Sequence, residues 1–485
     1  MNKREQPAAV PVIEAARGDV PFYKEHGFHH PKAVHGLFRR VKWAVMAVLL
    51  AVWHLTPFLR WDRGPGAPDQ AILIDLPARR AYFFFIEIWP QEVYYLTGLL
   101  LLAGLMLFLM SALAGRVWCG FLCWQTVYTD LFLSVERFFM GDRARHLQRD
   151  RQPLTLDKVG RVAAVNAVWL VIAAASGISF TLYFGDAFQM LRDIATGQAA
   201  TATYVAILVV AGFCFLLGGY ARERVCVYMC PYARFQSAMF DEHSLIVSYE
   251  AWRGEPRAPV SKTHDFQGRG HCVDCGACVQ SCPTGTDIRF GNQLSCIGCG
   301  LCIDACNAVM DRFGLPRGLI SYDSSSNLLA REQGRTPRSR LIRPRTLIYV
   351  ALVAAIGGTM ALKLAFRSDT EVNVLHERAP LYVQLARGGI RNGYSYKILN
   401  MAAQDRSYHL SVEGIPDARL EVIGGDTGVA STELQAGRDS VATYRIYVSA
   451  PPGASHGART DLTFVLNGPN GKVVRTTTLF AGPAQ

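Results

Sequence analysis

Five apolar runs organise this chain. Trp43–Phe58, Val93–Ala114, Val162–Phe184, Ala202–Tyr220 and Leu347–Phe366 each come near the ~20 residues that carry a helix across a bilayer. The first is the shortest and has His54 inside it. Past Phe366 the period changes. LEVI, TYRIYVSA, DLTFVL and VVRTTTLF alternate apolar and polar residues in short runs. Gly, Pro, Asn and Asp punctuate them, with ASTELQAGRDS and LNGPNGK read as turns. A period of two broken by turn residues predicts a small β-sandwich over 368–485. No Cys…Trp…Cys pattern occurs there, so any immunoglobulin likeness is one of architecture.

The predicted fold class is a multi-domain membrane protein with about five transmembrane α-helices. Residues 1–42 form an N-terminal arm, 43–220 a four-helix membrane domain with loops, 221–345 a polar segment, 347–366 the fifth helix and 368–485 the sandwich. The loop 60–91 carries AYFFFIEIWP, an apolar tract expected at the membrane interface with Glu87 as an interfacial carboxylate. Residues 115–160 read as a basic loop and 185–201 as a short one.

Composition fits this division: 485 residues, 50% hydrophobic, mean hydropathy +0.15. The net charge of +11 could suggest nucleic acid, but its distribution argues against that partner. Lys plus Arg is 8 in residues 1–42, 4 in 60–91, 7 in 115–160, 1 in 185–201 and 16 in 221–345. Rich and poor segments alternate. Positive loops stay in the cytoplasm, which puts the N-terminus inside and the chain past Phe366 in the periplasm. The first 40 residues are polar and charged, unlike a cleavable signal peptide. Cysteine placement agrees: all 13 precede the fifth run, twelve in segments assigned to the cytoplasm and Cys214 within the fourth run.

Between His271 and Met310 lie eight cysteines in two runs of the form C-x2-C-x2-C-x3-C. This is the spacing of bacterial two-cluster ferredoxins, in which the fourth cysteine of each run ligates the other cluster. One [4Fe–4S] cluster then takes Cys272, Cys275, Cys278 and Cys306, and the other Cys296, Cys299, Cys302 and Cys282. Gly276, Gly298 and Gly300 allow the tight wrap. Structural zinc more often uses separated C-x2-C pairs. The ferredoxin domain is expected at about 265–315.

Two further pairs lie outside these runs: Cys119 with Cys123 in GRVWCGFLCWQT, and Cys226 with Cys230 in RVCVYMCPYARFQ. On a helix, i, i+4 spacing puts both sulfurs on one face. Each pair follows the inner end of an apolar run, so four thiols are expected to meet beside the insert. Arg116, Arg222, Arg224 and Arg234 flank them and would favour thiolates. Met229 adds a soft donor, and soft sulfur suits Cu(I). Four buried reduced cysteines would give the same pattern; Cys214 reads as packing. The four histidines of HGFHHPKAVH are further candidate metal ligands, although a solvated arm explains them more simply.

Taken together, the motifs resemble the CcoG family, also called FixG or RdxA, among the NapH-like membrane polyferredoxins. The likeness runs from LTPFLRW and AILIDLPARRAYFF, through GRVWCGFLCWQTVYTDLFLSVER and VCVYMCPYARFQSAMFD, to the ferredoxin runs and NGYSYKILNM. The family pattern at the first pair is Cys-x3-Cys-Pro; here Trp124 follows Cys123, while Pro231 follows Cys230. The resemblance implies an immunoglobulin-like C-terminal domain. It also implies a cupric reductase of the bacterial inner membrane that supplies Cu(I) for cbb3-type cytochrome c oxidase assembly. Its expected partners are the lipid bilayer, a cytoplasmic electron donor, copper ions, and oxidase assembly factors or a copper transporter. A homodimer stays open. The alternatives are a NapH-like quinol dehydrogenase subunit serving a periplasmic partner, and an assembly scaffold with structural clusters.

Overall fold

The computed structural model describes residues 29–483 apart from 65–66, 260–265, 267, 339, 341, 387, 403 and 455–456. Most of the N-terminal arm, including His26, lies outside the described residues. The chain forms two compact units, Met1–Met360 and Ala361–Gln485.

The first unit holds α1 (Leu37–Leu55), α2 (Tyr94–Ala114), α3 (Trp124–Met140), α4 (Arg143–Asp150), α5 (Leu156–Thr181), α6 (Ala187–Thr196), α7 (Thr201–Phe213) and α8 (Pro231–Met239). With their flanking turns, Leu37–Phe58, Pro90–Ala114, Leu156–Phe184 and Thr201–Ala221 are long and apolar enough to cross a membrane, as is Pro344–Ala365. The first helix begins six residues before the apolar run that predicts it. Its cap comes from far along the chain: the Asp304 carboxylate accepts the backbone N–H of Phe38 (3.3 Å) and of Arg39 (2.8 Å). A carboxylate there satisfies orphan donors and meets the positive end of the helix dipole.

The segment 115–160, expected as a loop, instead folds into α3 and α4. The α3 helix buries Tyr128, Phe132, Leu133 and Met140, and Phe132 stacks on Trp169 of α5 at 5.3 Å. Asp130 and Glu136 interrupt its apolar face, which hides the helix in the sequence. Both carboxylates are buried but paired, Asp130 with Arg39 (2.9 Å) and Glu136 with Arg222 (2.9 Å). The tract around AYFFFIEIWP is also structured. It supplies β2 (Arg80–Phe83) and β3 (Ile86–Ile88) of an antiparallel meander begun by β1 (Ile72–Asp75). Glu87 there pairs with Arg80 at 3.0 Å. Cys214 packs against the core of Tyr128, Phe132 and Trp169.

The ferredoxin insert is built from β4 (Ile246–Tyr249), α9 (Ala251–Gly254), α10 (Ala277–Ser281), α11 (Leu301–Arg312), β5 (Ile320–Asp323) and α12 (Ser325–Glu332). Strands β4 and β5 pair antiparallel. The core joins Val247, Ile288, Ile303, Met310, Leu319 and Ile320 to the cysteines. Helix α13 (Pro344–Ala365) follows.

The second unit is a sandwich of β6 (Thr370–His376), β7 (Val383–Gln384), β8 (Ile390–Asn400), β9 (Arg406–Glu413), β10 (Arg419–Val422), β11 (Thr427–Val429), β12 (Ser431–Ala436), β13 (Ser440–Ala450), β14 (Arg459–Asn467) and β15 (Val473–Ala481). One sheet runs β11-β10-β13-β8-β6, with β7 also on β8, and the other β12-β9-β14-β15. Alternate residues fill the space between: Tyr394, Tyr396 and Ile398 from β8, Leu462, Phe464 and Leu466 from β14. The buried Asn392 side chain ties the sheets, donating to the Ala481 carbonyl and accepting its N–H, both at 2.9 Å. Within ASTELQAGRDS, expected as a turn, Ser431–Ala436 is the edge strand β12 and buries Thr432, Leu434 and Ala436. Inward Thr432 and Ala436 are only weakly apolar, which leaves Leu434 alone to mark the buried face in the sequence.

Candidate functional site

The insert arranges its eight cysteines as two sets. Cys272, Cys275, Cys278 and Cys306 line one cavity with Tyr249 and Met310. Cys282 lies beside Cys296, Cys299 and Cys302. Each set takes its fourth thiol from the other run, as the crossed spacing requires. The backbone wraps as it must for this: Gly276, Gly298 and Gly300 have φ of +62°, +66° and +72°. Burial pushes the thiols of Cys296 and Cys306 up to about 12 and of Cys299 up to about 11. A metal must therefore displace those protons, and clustered buried thiols serve metal better than solvent. The residues fit two [4Fe–4S] clusters, which supply one-electron transfer when bound. Hydrogen bonds at Cys282 would tune the cluster it holds: its Sγ accepts the Thr286 N–H at 3.3 Å and lies 3.2 Å from Thr284 Oγ1.

The four other thiols gather beside the insert, by a geometry other than the helical one expected. Neither pair rides an α-helix. Trp118–Leu122 and Val225–Met229 are single π turns, closed by Cys123 N–H to the Trp118 carbonyl and Cys230 N–H to the Val225 carbonyl, both 2.8 Å. Cys123 and Cys230 are then extended and start α3 and α8. The two turns are copies of each other. Each opens at a positive φ with ψ near −121°, Gly115 at φ 58° and Arg222 at φ 44°. Each trailing helix packs on the other copy's leading segment: α3 on the turn that ends α7, α8 on α2. Trp124, in the place of the family proline, starts α3 as Pro231 starts α8.

This paired motif presses on the insert. Cys119 and Cys226 pack against Ile297, Cys299 and Leu301. A Cβ on Gly120 would stand 2.7 Å from the Gly298 carbonyl oxygen and 2.9 Å from Cys299 Cα, so only glycine fits. Arg116 fastens the two parts, donating to the carbonyls of Leu294, Cys296 (3.0 Å) and Ala233 (2.7 Å). At Cys119 and Cys226 desolvation outweighs the flanking arginines expected to favour thiolates. Burial, with repulsion from Cys123, pushes Cys119 up to about 12 against the opposing pull of Arg116, and burial does the same for Cys226. Arg222 is turned to Glu136 instead. Met229 is exposed. Lys42 and Asp130, 3.7 Å apart, share a pocket with Cys226 and Ile297. Nothing in the sequence marks those two, because they are polar residues on helices that meet only in the fold.

The described end of the arm is docked rather than solvated. His29 Nε2 lies 2.7 Å from the Cys282 carbonyl, and Lys32 N–H donates to the Gln280 carbonyl at 2.8 Å. His35 is exposed.

An apolar helical bundle carrying a two-cluster ferredoxin against its paired thiols, with a β-sandwich beyond the last helix, defines a membrane-anchored iron–sulfur electron-transfer protein. Comparison with known proteins gives the family. Residues 221–325 match a 4Fe-4S dicluster domain, 96–140 a 4Fe-4S binding domain, and 360–483 the IG-like fold at the C-terminal of FixG. The chain is 42% identical to the nitrogen fixation protein FixG of Rhizobium meliloti, over 95% of this chain and 93% of that one. It is 45% identical to protein RdxB of Cereibacter sphaeroides over 89% and 91% of the two chains, and 43% identical to RdxA of the same organism over 93% and 96%. The chain belongs to the FixG/RdxA family.

Proposed function

We propose that this protein is a cupric reductase of the bacterial inner membrane, supplying Cu(I) for assembly of cbb3-type cytochrome c oxidase. A cytoplasmic donor reduces the clusters. Each reduced cluster gives one electron to one Cu(II), and the resulting Cu(I) is held by Cys119, Cys123, Cys226 and Cys230. The observation that carries this reading is the packing of Cys119 and Cys226 on the Cys299 turn, which brings soft donors against a cluster ligand. In this reading the arm and the insert are cytoplasmic and the sandwich is periplasmic. The test uses anaerobically reduced protein mixed with Cu(II), with cluster reoxidation followed by absorbance and Cu(I) by a chelator. Replacing Cys226 and Cys230 by Ser should leave iron content unchanged and sharply lower copper binding and copper-driven reoxidation. A double variant that reduces and binds copper as the parent does would overturn the reading.

A second reading has its own support. The 4Fe-4S binding domain matched at 96–140 covers Cys119 and Cys123 and none of the ferredoxin cysteines. In that reading the four thiols ligate a further iron–sulfur cluster and relay electrons. Iron per chain falling in the same double variant, with the insert intact, would select it.

A further inference from the structure

We propose that His30, His146 and Asp150 form an uptake site for a divalent transition-metal ion, which is Cu(II) if the protein reduces copper. Only the choice of copper rests on the reading above; the donor set stands on its own geometry. His146 and Asp150 lie one turn apart on α4, and His30 reaches them from the docked arm. Their ligand atoms all lie within 4.8 Å of one another. His30 Nε2 is 3.1 Å and His146 Nε2 3.7 Å from oxygens of the Asp150 carboxylate. The two rings stack with centroids 3.7 Å apart, so both present nitrogen to one carboxylate.

Two features distinguish this cluster from an ordinary surface ion pair. Both imidazoles are nearly buried, at 11% and 8% side-chain exposure, whereas Asp150 is 43% exposed and opens the cluster to solvent. His30 Nδ1 is buried with no hydrogen-bond partner among the described residues, and Glu136 Oε1 stands 3.7 Å from it and from His146 Nε2. Two imidazoles with carboxylate oxygens suit Cu(II), Ni(II) or Zn(II), whereas thiols suit Cu(I). The site is also held in place. Arg143 donates to the His30 carbonyl at 2.5 Å, and the Ala33 N–H donates to Asp142 at 2.9 Å.

Its position fits uptake before reduction. The next residue back, His29, contacts the backbone of the cluster ligand Cys282. Glu136 pairs with Arg222, which opens the π turn bearing Cys226. Leu133 lines both the pocket at His30 and the pocket at Cys226. An ion bound through N and O as Cu(II) would gain its electron from the clusters. It would then prefer the neighbouring thiols as Cu(I), so the change of oxidation state itself drives the transfer.

The test is Cu(II) binding to the full-length protein in detergent with its clusters oxidised and EPR-silent, so that no electron transfer is involved. One equivalent of Cu(II) should give a spectrum with hyperfine splitting from two imidazole nitrogens, displaced by added Zn(II). The signal should persist in the Cys226→Ser/Cys230→Ser variant. In His146→Gln and His30→Gln, with iron content unchanged, Cu(II) affinity should fall by more than the roughly 10–100-fold that loss of an outer-shell partner costs. Asp150→Asn should weaken it less. A parent spectrum without two-nitrogen coupling, or unchanged binding in both histidine variants, overturns the site. Failure of the reductase reading shows separately, as reduced clusters that added Cu(II) does not reoxidise.

Discussion

Gly120→Ala tests the contact on which, in the proposed reading, electron delivery to the thiols depends. The added methyl group would sit 2.7 Å from the Gly298 carbonyl oxygen and 2.9 Å from Cys299 Cα, whereas ordinary contact begins near 3.4 Å. Neither neighbour is a side chain that can swing away. The turn is clamped by Arg116 on Leu294 and Cys296 and by the Tyr322 hydroxyl on the Gly298 carbonyl. Overpacking of this kind costs about 1–3 kcal/mol. Applied to the equilibrium between docked and separated arrangements, that is a roughly 5–150-fold loss of the docked form. Two measurements follow it. Cys119 and Cys226, shielded by the Cys299 turn, should become faster to alkylate. Copper-driven reoxidation of the reduced clusters should slow. Gly104→Ala is the control, since a Cβ there meets nothing within 4 Å. If Gly120→Ala matches the parent in both alkylation and reoxidation, the insert is not held against the thiol motif, and the packing argument fails.

Three further outcomes are expected. Anaerobically purified protein should contain about eight iron and eight sulfide per chain, and colourless zinc-loaded protein would refute the cluster assignment. Asp304→Ala removes the cap of α1 and leaves two backbone N–H groups near the insert without a partner. It should cost about 1–2 kcal/mol, read as a lower midpoint for thermal loss of cluster absorbance; an unchanged midpoint would mean that the cap does not hold the insert. Reporter fusions at Arg143 and Ala450 should report opposite compartments, and one compartment for both would mean that the spans are miscounted.

What the sequence could tell depended on how locally each feature is encoded. Cluster ligation is written in a spacing of two and three residues, so all eight cysteines and their crossed assignment could be read before any fold was known. The four membrane thiols were visible as two pairs, but their π-turn geometry was not. The i, i+4 spacing is the same for an α and a π turn, and only the backbone hydrogen bonds separate them. Helix α3 was hidden because Asp130 and Glu136 look like solvent-facing residues until Arg39 and Arg222 come to meet them. The start of α1 depends on a cap 265 positions away. His30 stood among the arm histidines named as candidate metal ligands, but its pairing with His146 was illegible. The two meet only when the arm docks, and a histidine-rich arm looks solvated when read alone.

The two matching π turns bear on ancestry. Each contributes half of the thiols, and each trailing helix crosses to lean on the other repeat. A shorter ancestor with one such turn could have assembled the same four thiols only by associating with a second copy of itself. Within one chain the two turns need not be alike in every residue. Gly115 makes its bend without a side chain, whereas Arg222 makes the same bend and lends its guanidinium to Glu136. The two turns thus keep one backbone shape around the thiols while their surroundings differ.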